Sequence, residues 1–117
     1  MKIFNLLIAG GSGFIGTNLL EKINSNNKFN TTCTYFRKNP QKKFKNVNYV
    51  FHFAGIGDIV PSIENPAKYM QTNVQGTINV LEASRYFGVK KFIYAASASC
   101  YGMTKKLTDE NYRINIE

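Results

Sequence analysis

Three glycines at a spacing of three, Gly10, Gly13 and Gly16, separate an apolar run from an amphipathic one, and no other feature of this chain limits its fold as much. The run Lys2-Ile3-Phe4-Asn5-Leu6-Leu7-Ile8-Ala9 is short, mostly apolar and cut off by glycine. Such a run fits a strand buried on both faces, as in a parallel sheet. Beyond the turn, Ile15, Leu19, Leu20 and Ile23 recur at helical spacing and predict a helix from about Phe14 to Asn24. Strand, tight turn and helix in that order form the setting of a dinucleotide-binding turn, and the register Gly11-x-Gly13-x-x-Gly16 matches its spacing. One glycine permits the sharp turn, one lets the backbone approach a pyrophosphate, and one lets the helix pack closely on the strand. The positive end of the helix then faces the phosphates. A nucleoside-triphosphate loop is excluded, because Thr17 stands where its lysine is required. A glycine-rich turn that binds nothing is the plain alternative.

The rest of the chain alternates strands and helices. Thr31-Thr32-Cys33-Thr34-Tyr35-Phe36 reads as a second strand. The basic stretch from Arg37 to Asn46, with Pro40 inside it, reads as irregular. Val47 to Ala54 is a third strand, closed by Gly55. Asn65-Pro66 has the composition of a helix start, with Asn at the cap and Pro at the first turn. That helix is expected to run to about Phe87, stop at Gly88 and bury Val74, Ile78 and Leu81. Lys91 to Ala96 is the last strand, and the remainder reads as loop. The order is that of an α/β domain with a parallel sheet and helices on its faces. Gly10–Gly16, Ala54-Gly55 and Ser97 each lie at or just after a strand's end, so they are expected to converge at the carboxyl edge of the sheet.

Turns that bind NAD usually find an acidic partner for the ribose hydroxyls about 20 residues on. Here Thr34, Tyr35 and Phe36 occupy that strand end, and Arg37 and Lys38 follow. An arginine there can accept the 2′-phosphate of NADP, and the same charges can equally be solvated loop residues. NAD is the expected cofactor, with NADP left open.

The formal net charge of +8 raises a nucleic-acid reading. Its basic residues sit mainly in Arg37–Lys45, Lys90-Lys91 and Lys105-Lys106, not along a helix face interleaved with aromatics, which argues against such a module. The chain of 117 residues has room for one domain, and its 44% hydrophobic content supports a small core. Cys33 and Cys100 are too few for a disulfide scaffold and lack metal-ligand spacing; they read as buried thiols, and no metal is expected. No cleavage site follows the apolar start, and no run approaches the ~20 residues of a membrane span, so a cytoplasmic chain without a membrane partner is expected.

Four motifs carry a family resemblance: Gly10-Gly11-Ser12-Gly13-Phe14-Ile15-Gly16, Phe51-His52-Phe53-Ala54-Gly55, Asn73-Val74-Gln75-Gly76-Thr77 and Tyr94-Ala95-Ala96-Ser97-Ala98-Ser99-Cys100-Tyr101-Gly102. In this order they resemble the extended short-chain dehydrogenase/reductase family, specifically the NAD-dependent epimerases and dehydratases of nucleotide sugars. The resemblance implies a Rossmann-like, doubly wound parallel sheet, with the first strand between Thr31–Phe36 and Val47–Ala54. It implies that Gly10, Gly11, Ser12, Gly13 and Gly16 approach the pyrophosphate, and that Phe14 and Ile15 cover it. Phe53, Ala54, Gly55 and Ala95 would line the dinucleotide, Asn73 would support that loop, and Arg37 would stand near the ribose. Ser97, four residues before Tyr101, would hydrogen-bond the substrate oxygen that gains and loses a proton. His52, the only histidine, is read as structural. The implied partner of the full-length enzyme is a nucleotide sugar, and a homodimer is left open.

Two departures stand out. Between Phe36 and Tyr49 lie only the residues 37–48, where the family holds about one further βαβ unit, so a sheet truncated to about four strands is expected. The family's base is a tyrosine whose pKa is lowered by a lysine four residues later. The resemblance places that pair beyond Glu117, and Tyr112 is no substitute because Ile116 stands at the lysine position. The expectation is a chain that lacks both the Tyr-x-x-x-Lys motif and the C-terminal substrate domain, and is inactive alone. A dinucleotide-binding remnant and a basic interaction module are the rival readings.

Overall fold

The computed structural model describes residues 3–34 and 41–114. Four strands form one sheet: β1 (Phe4–Ala9), β2 (Phe29–Thr34), β3 (Tyr49–His52) and β4 (Lys91–Tyr94), in the order β2-β1-β3-β4. All three pairings are parallel, so β1 lies between β2 and β3 as the family connectivity implies. Their ends are in step. Ala9 is level with Thr34 on one side and His52 on the other, and His52 is level with Tyr94. The β1–β2 and β3–β4 connections run in opposite directions across the sheet, and right-handed crossovers then put their helices on opposite faces. This is the doubly wound arrangement, at four strands.

Burial follows the pleat. Leu6, Leu7, Ile8 and Ala9 are all buried, so both faces of β1 are covered, as its unbroken apolar run requires. Leu7 and Ala9 pack with Val50, Val80, Ala83, Val47 and Phe44 in the main core. The helix α1 (Phe14–Asn24) has the predicted bounds. At the opposite edge of the sheet, Asn5 and Asn48 exchange hydrogen bonds between β1 and the entry to β3. The Asn5 amide donates to Asn48 Oδ1, and the Asn48 amide donates to the Asn5 carbonyl.

Several expectations are corrected. The strand placed over Thr31–Phe36 covers Phe29–Thr34, and residues 35–40 lie outside the described part. The stretch read as irregular contains a 3₁₀ turn, Gln41–Phe44, whose Phe44 is fully buried and stacks with Phe87 at a centroid distance of 6.4 Å. The single helix expected from Asn65 is three segments: α3 (Pro66–Tyr69), a π-helical turn (Met70–Gln75) and α4 (Gly76–Tyr86). A short helix, α2 (Ile59–Glu64), precedes them. The expected start holds, since Asn65 Oδ1 accepts from the Lys68 amide at 3.2 Å. So does the stop, since Gly88 turns the chain with φ +67°. Cys33 and Cys100 are free and only partly buried.

The buried face of α4 is also different. Val74, Ile78 and Leu81 are exposed, and Val80, Ala83 and Ser84 are buried instead. The apolar stripe misled because part of the inward stripe is made of hydroxyls. Ser84 Oγ donates to the Val80 carbonyl at 2.7 Å, and Thr77 Oγ1 donates to the Asn73 carbonyl at 2.6 Å. A hydroxyl satisfied by its own helix can be buried at little cost.

The central position of Phe44 gives a prediction. Phe44→Ala should destabilise the fold by about 3 kcal/mol, the usual range for emptying a buried aromatic site. Urea unfolding checks it, and a loss under ~1 kcal/mol would place Phe44 outside the cooperative core.

Candidate functional site at the carboxyl edge of the sheet

Because the parallel strands end in step, the segments that leave them lie along one edge. They are the turn after β1, the loop Phe53–Gly57 after β3 and the segment from Ala95 after β4. Two further hydrogen bonds extend the ladder into these segments: the Phe53 amide to the Ala9 carbonyl at 2.8 Å and the Ala95 amide to the His52 carbonyl at 3.2 Å. Open α/β sheets bind ligands at this edge, where the connections diverge on either side of a strand.

The turn is built by closeness. Gly10 has φ +84°, and a Cβ there would fall 2.6 Å from the Ala54 amide nitrogen and 2.8 Å from the Phe53 carbonyl carbon. A Cβ on Gly16 would strike the Gly10 carbonyl oxygen and lie 2.6 Å from the Gly11 Cα. One on Gly11 would lie 2.7 Å from Cys33 Sγ on β2. The three positions therefore fix the turn to β3's loop, the helix to the turn, and the turn to β2. The Gly13 amide donates to the Gly10 carbonyl at 3.1 Å, and the Thr17 amide donates to the Gly13 carbonyl at 2.9 Å.

Gly13 caps α1 without any side-chain hydrogen bond, and the first turn carries no acidic residue. Its opening amides therefore have no intrahelical acceptor, and no carboxylate of that turn offsets the positive end of the helix. Ser12, Gly13, Phe14 and Ile15 are exposed around this end. Phe14 is 87% exposed, unusual for a phenylalanine unless something covers it.

On the β3 side, Asn73 of the π-helical turn clamps the loop. Its Oδ1 accepts from the Ile56 amide and its Nδ2 donates to the Ile56 carbonyl, both at 2.9 Å. A Cβ on Gly55 would lie 3.3 Å from that Oδ1. Phe53 and Ala54 are half-buried. Ser97, after β4, is exposed; its Oγ donates to Ser99 Oγ at 2.9 Å and accepts from the Ser99 amide at 3.2 Å, which starts the 3₁₀ turn Ala98–Tyr101.

The edge thus brings together Gly10, Gly11, Ser12, Gly13, Phe14, Ile15, Gly16, Phe53, Ala54, Gly55 and Asn73, with Ala95 and Ser97 on the adjoining strand's exit. Arg37 lies outside the described residues. Sequence reasoning assigned no role to Ile56, Thr77 or Ser99, which act through hydrogen bonds that no spacing displays. A cavity of about 330 Å³, lined by Met70, Gln71, Val74 and Gln75, contains none of the expected site residues. Among the described residues no group of His, Cys, Asp or Glu could hold a metal ion, and no helix is long and apolar enough to cross a membrane.

The expected lack of a Tyr-x-x-x-Lys spacing is corrected by the sequence itself, which contains it twice, at Tyr86–Lys90 and Tyr101–Lys105. Neither pair shares a helical face, the geometry that would bring the ammonium to the phenol. Gly88 breaks the first with φ +67°, and Gly102 breaks the second with φ +68°. Tyr101 instead meets the Tyr112 ring edge-on at 6.0 Å.

A four-stranded parallel sheet with a glycine turn between β1 and α1 defines a Rossmann-like α/β domain. Residues 6–115 match the model of the NAD dependent epimerase/dehydratase family, and the chain belongs to that family. It is 30% identical over 128 residues to the UDP-glucuronate 4-epimerase of Thermodesulfobacterium geofontis, an alignment covering 81% of this chain and 40% of that protein. Its fold matches the UDP-glucuronic acid 4-epimerase of Bacillus cereus, solved with UDP-glucuronic acid and NAD (TM-score 0.85, 19% identity, 96% of this chain and 46% of that one). It also matches the UDP-N-acetylglucosamine 4-epimerase of Methanobrevibacter ruminantium, solved with UDP-N-acetylmuramic acid (TM-score 0.82, 24% identity, 98% and 45%). The chain spans less than half the length of these proteins.

Two glycines on the same edge make a matched test. Gly10→Ala should cost about 2 kcal/mol, because its Cβ meets backbone in a left-handed conformation. Gly57→Ala, where a Cβ would meet nothing within 4 Å, should stay within ~0.5 kcal/mol of wild type. Denaturant unfolding of the two variants checks the contrast, and equal costs would contradict the packing described.

Proposed function

We propose that this edge binds the dinucleotide cofactor of a nucleotide-sugar epimerase or dehydratase, with NAD as the ligand and NADP as the variant to compare. The observation that carries the reading is the cradle itself. Gly10, Gly11 and Gly16 leave no room for a Cβ beside the positive end of α1, which no side chain caps and whose first turn carries no acidic residue. That is the environment an anionic pyrophosphate requires.

In this reading the backbone of Gly10–Gly16 receives the pyrophosphate, and Phe14 and Ile15 fold over it. Phe53, Ala54, Gly55 and Ala95 line the length of the dinucleotide, while Asn73 holds their loop in place. Arg37 is the candidate partner for a 2′-phosphate. When bound, NAD supplies a nicotinamide that accepts a hydride from the sugar and returns it. Ser97 is the chain's own contribution to the reacting centre. Its hydroxyl, free to leave Ser99 on an exposed turn, would donate to the sugar oxygen and hold the proton position there. The nucleotide-sugar substrate and any turnover belong to the proposal for the whole protein.

Isothermal titration of the chain with NAD and with NADP tests the reading. Saturable one-to-one binding of at least one of them is expected, weakened at least tenfold by Gly16→Val, whose side chain would fill the cradle. A folded chain that binds neither dinucleotide would overturn the proposal.

A further inference from the structure

We infer that His52 is a positioning residue that, through Thr77 and Asn73, sets the loop Phe53–Gly57 against the glycine turn, an inference that rests on the dinucleotide reading above. The hydrogen bonds form a circuit. His52 Nε2 lies 2.8 Å from Thr77 Oγ1, Thr77 Oγ1 donates to the Asn73 carbonyl at 2.6 Å, and the Asn73 carboxamide holds both polar groups of the Ile56 backbone. Ile56 lies four residues beyond His52, so the circuit closes on the segment Phe53–Gly55. That segment is fixed at its start by the Phe53 amide to Ala9 and at its end by Asn73.

Counting protons orients the chain of bonds. The Thr77 hydroxyl has one proton, and the Asn73 carbonyl takes it, so toward the imidazole Oγ1 can only accept. His52 therefore carries its proton on Nε2. Nδ1 is then a bare acceptor, buried and without a hydrogen-bond partner among the described residues. The groups facing the ring are the Phe92 and Tyr94 rings of β4, each with its centroid 5.7 Å away, and the Thr77 hydroxyl of α4. A second proton on the imidazole would place a charge among them, and burial lowers its pKa below the ordinary value. The imidazole is held as a neutral donor of fixed tautomer.

The π-helical turn gives this arrangement its purpose. The Gly76 amide reaches back to the Gln71 carbonyl, five residues earlier, so the helix is widened where Asn73 projects to the loop. Single π turns recur at functional sites. A side chain on Gly55 would press on Asn73 Oδ1, so loop and clamp fit only as a pair.

A core-filling role for His52 predicts something different. Thr77→Val keeps the volume and removes the hydroxyl, so a filler would lower global stability without singling out the loop. Positioning predicts that Thr77→Val lowers amide-exchange protection at Ile56 and weakens NAD binding, each by about tenfold, with strand amides unchanged. Thr77→Ser should restore both to within about twofold of wild type. Because His52 is the only histidine, the imidazole ¹⁵N spectrum of the wild-type chain reads its tautomer without assignment, and the Nε2–H form is expected. An Nδ1–H tautomer overturns the inference, as does Ile56 protection unchanged in both Thr77→Val and His52→Phe. If the wild type binds neither NAD nor NADP, the proposed function fails, and loss of Ile56 protection in Thr77→Val still supports the positioning role.

Discussion

The structure depends on one close approach: the backbone of the turn after β1 lies directly against the backbone leaving β3. Gly10 makes that contact with Ala54, and Gly16 makes the next one, bringing α1 down on the turn. Any side chain at either position would push two segments apart. The approach holds the amino end of α1 open beside a loop from the neighbouring strand, and it does so with backbone alone. A site made of amides and helix dipole is also indifferent to most surface substitutions, because the groups that would meet a ligand are not side chains.

The energetics follow from the same economy. A sheet of four short strands has few apolar residues to bury, and Phe44 contributes from a 3₁₀ turn outside the strands. Full burial of each large apolar side chain is worth about 1.5–3 kcal/mol, so a small core leaves little to spare for uncompensated polar groups. Buried Ser84 is accordingly satisfied within its own helix by the Val80 carbonyl, and half-buried Thr77 by the Asn73 carbonyl and His52, which leaves His52 Nδ1 as the exception among the described residues. The exposed apolar residues Ile59, Val60, Ile63, Met70 and Val74 lie on the connection between β3 and α4, away from that core.

Much of this was legible in the sequence because it depends on local chemistry. Gly10, Gly13 and Gly16 between an apolar run and a helical pattern are enough to mark the turn. Asn65-Pro66 and Gly88 mark a helix start and stop through their own backbone preferences. What was missed depends on tertiary context. The inward face of α4 was misread because Thr77 and Ser84 count as polar in a periodicity, though the helix satisfies them. Phe44 was overlooked because a basic segment with a proline conceals one buried ring. The π-helical turn has no compositional signature, so the resemblance gives Asn73 its place at the loop but not the widened helix that carries it there. The Tyr101–Lys105 spacing shows the converse, a pattern present in sequence that the left-handed Gly102 takes off the helical face.

The backbone edge between the glycine turn and the β3 loop is the ligand site proposed above. Amide chemical-shift mapping of the ¹⁵N-labelled chain during an NAD titration tests it most directly. The largest shifts are expected on Gly10–Gly16, Phe53–Ile56 and Ala95–Ser97, three segments distant in sequence and adjacent only in this fold. Shifts confined to Lys90-Lys91, Lys105-Lys106 or the exposed face of α4, with the glycine turn unmoved, would contradict it.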